Sequence, residues 1–331
     1  MTDPTDLAIA TSSTGTQATT VLVIGEALVD LFDSGPLAGG APFNVARSLA
    51  VLGVPVVFVT RVGEGDAAAK VLLHSAGEFG LSTHGFQQDG SHPTGTVRVV
   101  QQGASHTFQI EEDVAWDYIE LAQARAAIGA AQPVFVYFGT LAQRHLASRH
   151  AIRELVRSAQ AIRYVDLNLR DGPDNQSLAE QSLALADWVK VNDEELFQLL
   201  EWFEGADPHS SSWGASTVVR GIAGLIHRFG LQRLIVTRGD QGYACFDASG
   251  HCEAEGQGAQ QARVVDTVGA GDGFSAMLIA SCVQGLDIHQ ALSLANAYAS
   301  HICGHRGPLS ADMHSYAHWR LPFASAITRT S

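Results

Sequence analysis

The sequence predicts an α/β fold in which a largely parallel sheet is covered by helices on both faces. Two observations carry that prediction. Short apolar runs of strand length alternate with segments of helical period along most of the chain, the order that crossover-linked parallel strands produce. The 331 residues and 46% apolar content also suffice for one large core.

The elements follow in chain order. VLVIG (21–25) reads as a buried strand. FNVARSLAVLG (43–53) has helical period, with Gly53 at its C-terminal end. VPVVFVTRVG (54–63) is a strand. DAAAKVLLHSAGEFG (66–80) is a helix that Asp66 can cap. PVFVYFG (133–139), IRYVDLNLR (162–170), DWVKVN (187–192) and RLIVTRG (233–239) are further strands, with helical stretches between them. TGTVRVVQQGASHTFQI (94–110) breaks the rhythm. It reads as two strands turned by a Gln-Gly pair, too polar on one face for mid-sheet. It is either an edge hairpin or a lid over a ligand. EGADPHSSSWGAS (204–216) is a surface loop. Residues 1–20 are Ser/Thr-rich without a basic start and apolar stretch, so a disordered tail is expected there and not a signal peptide. One domain then spans 21–320, followed by a short tail at 321–331.

The formal charge of −14 is spread along the chain. That excludes a nucleic-acid or membrane surface as partner, since neither attracts an acidic protein. No apolar run is long enough to span a bilayer. Cys245, Cys252, Cys282 and Cys303 form no C-x-x-C pair. Cys245 and Cys252 flank a turn and could face each other across a hairpin, but reduced thiols in a cytoplasmic protein are the expectation.

The stretch DTVGAGDGFSA (266–276) carries the chemistry. It places three glycines and a carboxylate where an apolar helix begins. The first N–H groups of a helix lack internal partners and attract anions. Gly269, Ala270 and Gly271 can therefore cradle a phosphate. Asp272 is then either a helix cap or a base that deprotonates an attacking hydroxyl while the amides hold phosphoryl oxygens. The lysine-bearing nucleotide loop G-x-x-x-x-G-K-[ST] is excluded, because the only lysines, Lys70 and Lys190, do not follow glycine. No G-x-G-x-x-G follows the first strand, which argues against a dinucleotide-dependent oxidoreductase.

Five ordered segments decide between those readings. GGAPFNVARSLAVLG (39–53) and DTVGAGDGFSA (266–276) resemble the two signatures of the ribokinase-like sugar kinases, the PfkB family. Between them VKVNDEEL resembles that family's N-x-x-E segment, and LIVTRGDQG its nucleotide-binding strand. ANAYASHICGHRGP is similar to the helix and turn that close over the adenine. The likeness covers residues 20 to 308.

The resemblance implies a three-layer α/β/α ribokinase-like fold with a small β lid and transfer of the γ-phosphoryl of ATP to a sugar hydroxyl. It implies Asp272 as general base and Gly269, Ala270 and Gly271 as anion hole. Asp30, Gly39, Gly40 and Asn44 would hold the sugar. Asn192, Thr237, Gly239, Gly242 and Asn296 would line the nucleotide, with Glu195 reaching Mg2+ through water. Asp266 and Thr267 open a segment that binds a monovalent cation such as K+ in some relatives. Lids in this family often pair between subunits, so a homodimer is expected.

DLNLR (166–170) resembles the D-x-N-x-R segment of fructokinase-like and ketodeoxygluconate-kinase-like members, where Arg170 would face a phosphate. The lid departs from that branch. HTFQIEEDVAWDYI carries acidic residues where many members have an aromatic–Arg pair, which leaves Arg98 as the available cation. The acceptor stays open among hexose, pentose, ketosugar acid and nucleoside. A binding module without catalysis is the alternative class. His301 and His305 sit four apart, a metal-compatible spacing without a third ligand, and a structural role is expected.

Overall fold

Val21 and Val23 of the first strand face one core, and Leu22 and Ile24 face another. A strand buried on both sides behaves in this way. The structure is a computed structural model and describes residues 19–32, 35–102, 105–170, 174–205, 213–258 and 264–320. The expected tails before 19 and beyond 320 lie outside the described residues, as do most of the loop at 204–216 and the Gly103 turn position.

In chain order the elements are β1 (Thr20–Ile24), β2 (Leu28–Phe32), β3 (Gly35–Gly39), α1 (Ala41–Val51), β4 (Val56–Gly63), α2 (Ala67–Glu78), β5 (Phe86–Asp89), β6 (Thr96–Gln102), β7 (Ser105–Ile110), α3 (Leu121–Ile128), β8 (Pro133–Phe138), α4 (Leu146–Ser158), β9 (Ile162–Asp166), α5 (Asn175–Leu183), β10 (Trp188–Asn192), α6 (Asp193–Glu204), α7 (Ser216–Phe229), β11 (Arg233–Thr237), β12 (Tyr243–Asp247), β13 (Cys252–Gly256), α8 (Ala270–Val283) and α9 (Ile288–Ile302).

The main sheet has nine strands in the order β13-β12-β11-β10-β9-β8-β1-β4-β5. It is parallel from β11 to β5, and β12 and β13 close one edge antiparallel. One core is shared with α1, α2, α8 and α9, and the other with α3 to α7. The three layers are therefore as the alternation of elements predicts. The chain runs from β1 outward to β4 and β5, then returns to β8 on the other side of β1. Ligands of such sheets bind at the carboxyl ends of strands beside this reversal.

Sequence signals account for the local starts. Asp66 caps α2 by accepting from Ala69 N at 2.6 Å. Gly53, with φ +85°, follows α1, where a left-handed residue ends a helix readily. β9 is shorter than expected and stops at Asp166. Asn168 takes φ +46°, which asparagine tolerates better than most residues, and it bends the chain out of the sheet.

The lid is larger than the sequence suggests. β6 and β7 form the expected antiparallel hairpin, but β2 and β3 join them in a separate sheet ordered β3-β2-β6-β7. The missed pair is rich in small residues (Gly35, Ala38 and Gly39), which carry little strand propensity. Register sets Asp30 beside Val97 and Leu31 beside Arg98. Side chains alternate along a strand, so Arg98 lies on the opposite face from Asp30. The strand register also separates the two cysteines, since Cys245 pairs with Ala254 and Cys252 with Phe246. All four cysteines are free. No helix among the described residues is long and apolar enough to cross a membrane.

Candidate active site

The head of α8 is built on a glycine that nothing else can replace. Gly269 has φ +80°, and a Cβ there would lie 2.4 Å from Pro308 Cβ. Only glycine fits both the conformation and the contact. Ala270 N–H donates back to Thr267 O at 3.2 Å, so of the three expected cradle residues it is the one already engaged. Asp272 follows in the first turn and is 9% exposed. Its Oδ2 accepts from Asn44 Nδ2 at 2.7 Å. Burial pushes its carboxyl up to about 6, and Asp166 adds to the rise, while Asn44, Lys190 and Arg170 oppose it.

Beneath the cradle lies an ion pair that the sequence reading missed. Lys190 Nζ donates to both oxygens of Asp166 at 2.9 Å. Both side chains are buried. Asp166 also accepts from Ser275 Oγ at 3.0 Å. A Cβ on Gly271 would sit 3.2 Å from Lys190 Nζ, so the ammonium lies directly under the anion cradle. Burial opposes its charge, yet Asp166 and Glu195 hold its pKa above the usual lysine range. The signal was present in WVKV and YVDL, where a single charge interrupts an apolar strand. A charge in such a place needs a partner.

On the lid side, Asp30 stands against Gly39, where a Cβ would come within 2.4 Å of Asp30 Oδ2. Burial raises the Asp30 carboxyl to about 6, against the pull of Arg170 and Arg47. Gly40 has φ +102°, and a Cβ there would lie 2.7 Å from Glu26 O. Asn44 is not free to face a ligand with its whole amide. Its Nδ2 meets Asp272, and its Oδ1 accepts from Arg47 Nη2 at 2.5 Å.

Arg47 and Glu26 were both missed. Arg47 reads as a polar interruption of a helix but is 3% exposed. Glu26 is equally buried, its Oε2 meets no partner, and burial lifts it to about 7. Arg170 is exposed, and its charge reaches Asp30, Glu26 and Asp272. Arg98 is exposed and lies 3.6 Å from Glu111, so it does not supply the cation facing Asp30.

The expected nucleotide side is divided in role. Asn192 caps α6, with its Oδ1 accepting from Glu195 N at 2.7 Å, and Glu195 Oε2 accepts from Asn192 N at 2.9 Å. This reciprocal pair is a capping box. Glu195 Oε1 takes the Leu169 N–H that Asn168 turns toward it, at 2.8 Å. Glu195 is buried rather than a solvated helix charge, and burial raises its pKa.

Thr237 ends β11, with its Oγ1 donating to Val191 O at 3.3 Å. Gly239 has φ +54°. Gly242 has φ +90° and lies against Gly256 O, so its need for glycine is a backbone contact. Asn296 Nδ2 donates to Gln257 O at 2.9 Å. The Asp266 carboxylate accepts from Val268 N at 3.1 Å and Gly307 N at 2.9 Å. It thus ties two loops together. His301 packs at an angle against His305 and Trp319 and edge-on to His318, and the described residues hold no group of three or more side chains that could hold a metal.

A hollow of about 660 Å³ opens at the other end of the sheet, by Thr20, Arg125 and Pro133. It is lined by one cation and no carboxylate, so it offers no base. The chemistry converges at the head of α8 instead.

Comparison with known proteins agrees with that convergence. Residues 21–314 match the model of the pfkB family carbohydrate kinases. A fructokinase of Salmonella typhimurium is 31% identical over 275 residues, covering 79% of this chain and 83% of its own. A fructokinase of Klebsiella pneumoniae is 29% identical over 272 residues, covering 78% and 83%. The crystal structure of a fructokinase with bound ATP from Xylella fastidiosa superposes with a TM-score of 0.74 at 25% identity, covering 89% of this chain and 95% of that one. Fold and site thus define a carbohydrate phosphotransferase of ribokinase-like architecture. The chain belongs to the pfkB family, within which it resembles the fructokinases.

Proposed function

We propose that this chain moves the γ-phosphoryl group of ATP onto a hydroxyl of a sugar, with Asp272 as the base. The observation that carries the reading is the position of the Asp272 carboxylate. It is buried in the first turn of α8, beside a glycine cradle and above the Lys190 ammonium. A base with a pKa of about 6 is mostly ionised at neutral pH and still basic enough to accept a proton.

Asp30 accepts hydrogen bonds from the sugar hydroxyls and orients the reacting one toward Asp272. The hydroxyl oxygen forms a bond to the γ-phosphorus as its proton passes to Asp272. The bond from the γ-phosphorus to the bridging oxygen breaks, and ADP leaves. Amides at the head of α8, with Lys190 below them, hold the charge that develops on the phosphoryl oxygens. Arg170 adds a cation at the same mouth.

Glu195 would reach magnesium through water, its carboxylate held in place by the Leu169 and Asn192 N–H groups. A cation held chiefly by phosphates and waters suits that arrangement. When bound with ATP it offsets phosphate charge. No step is routed through a monovalent cation at Asp266. The lid sheet ends in two open strand edges, β3 and β7, and carries the exposed side chains of Leu31 and Leu37. This supports pairing of two lids in a homodimer.

Fructose is the first acceptor to test, given the relatives. ATP consumption is measured with fructose, aldohexoses, pentoses, a ketosugar acid and nucleosides. Sugar-dependent turnover with one class supports the reading. Nucleotide binding without turnover on any of them would make the chain a binding module.

A further inference from the structure

Arg47 is a buried cation without a carboxylate partner among the described residues. Its Nη1 donates to Ser75 Oγ at 2.7 Å, and its Nη2 donates to Ala38 O at 3.0 Å and to Asn44 Oδ1 at 2.5 Å. The guanidinium carbon lies 4.3 Å from the centre of the Phe43 ring and 5.5 Å from that of Phe79. Keeping a full charge in such a place is costly unless the charge is used.

Its position suggests the use. Ala38 belongs to the lid strand β3, next to Gly39, which abuts Asp30. Asn44 holds Asp272. A single planar fork thus touches both the edge of the lid and the amide that grips the base. It also decides which way that amide points. With a donor at Oδ1, the Nδ2 group must face Asp272; reversed, a carbonyl oxygen would oppose the carboxylate.

We propose that Arg47 is a positioning residue that couples lid strand β3 to the base, fixing the Asn44 amide on Asp272 and placing one positive charge near both Asp272 and Asp30. The role at Asp272 rests on that residue acting as the base.

The groups facing these carboxyls are few. Asp272 is in electrostatic reach of Asp166, Lys190, Arg170, Glu26, Arg47 and Tyr137. Asp30 is in reach of Arg170 and Arg47. Arg47 itself meets Tyr316, Asp272, Glu78 and Asp30, and burial brings it down to about 10, where it remains charged at neutral pH.

The test uses R47M, R47K, N44A and the double variant R47M/N44A of the full chain. Carboxyl titrations are read by carbon NMR without substrate, and turnover is read with the acceptor. R47M should move both titrations upward, that of Asp30 by loss of an opposite charge and that of Asp272 by loosening of its Asn44 bond. It should lower kcat about ten- to a hundredfold through misplacement of the base. In the N44A background R47M should cost little more in kcat, because the two act through one contact. R47K keeps the charge but not the fork, so the Asp30 titration should stay while the Asp272 titration rises and kcat falls.

Unmoved titrations in R47M, or losses that simply add to those of N44A, overturn the proposal. If R47M does not fold, wild-type kcat in R47K overturns it and a reduced kcat with a raised Asp272 titration supports it. A chain that shifts its titrations yet phosphorylates no acceptor would overturn the kinase reading while leaving the electrostatic coupling supported.

Discussion

Asn44 Nδ2 donates to Asp272 Oδ2 across 2.7 Å, a bond that spans 228 residues of sequence. It joins the first turns of α1 and α8, which carry the two glycine-rich segments. Each segment alone is a tight turn before a helix. Brought together they make a carboxylate with a fixed direction, and the expected outcomes below follow from that geometry.

The acid limb of activity should report two carboxyls, Asp272 buried and Asp30 half-buried. Asp272 and Asp30 each titrate near 6 in the free protein, and both act ionised. kcat/KM should therefore be level above pH 7 and fall with a slope between one and two as pH drops through about 6. A profile that stays level to pH 5 would contradict both assignments.

Stability should run the other way. The folded chain holds the Asp272 proton up to about pH 6, while the unfolded chain releases it near the model-compound value of 3.8. The folded state then binds more protons between those values, so stability falls as pH rises through that window and stays reduced above it. Asp272→Asn removes the buried charge. It should be more stable than wild type at pH 8 by about 1–3 kcal/mol, with the gain gone below pH 4. Urea unfolding at the two pH values measures it.

Lys190→Met should destabilise the fold by about 3–5 kcal/mol, since it leaves Asp166 charged and buried without its partner. Replacing Asp166 by Asn in the same chain should recover part of that loss. Equal stability of the single variant and wild type by urea unfolding would mean that the pair carries no net burden.

Gly39→Ala should act on the sugar and Gly40→Ala on the fold. The first pushes a methyl group to 2.4 Å from Asp30 Oδ2 and should raise the KM for the acceptor about tenfold, leaving the KM for ATP unchanged. The second forces φ +102° on alanine against Glu26 O and should cost about 1–3 kcal/mol of stability. Steady-state kinetics and thermal unfolding separate the two effects.

What the sequence made legible was periodic or local. The alternation of elements announced the layered sheet, and the glycine-rich helix heads announced the two ends of the site. The lid strands β2 and β3 were hidden because Gly35, Ala38 and Gly39 carry little strand propensity, and Gly39 serves instead for close approach to Asp30. The charges of Lys190 and Asp166 stood out in apolar strands, but the partners of these two and of Arg47 were hidden for another reason. Their partners lie 24 residues away across a sheet, or come together only when α1 packs under the lid, and no local pattern encodes such distances. Asn44 was visible as a polar residue at a helix start, but its direction was not. That direction depends on Arg47 and Asp272 together.

The most direct test is steady-state turnover of wild type and Asp272→Asn with ATP and the identified acceptor sugar. The account predicts a folded variant whose kcat is lower by about 10²–10⁴, the usual share of a general base. Turnover equal to wild type in a folded Asp272→Asn chain would contradict it.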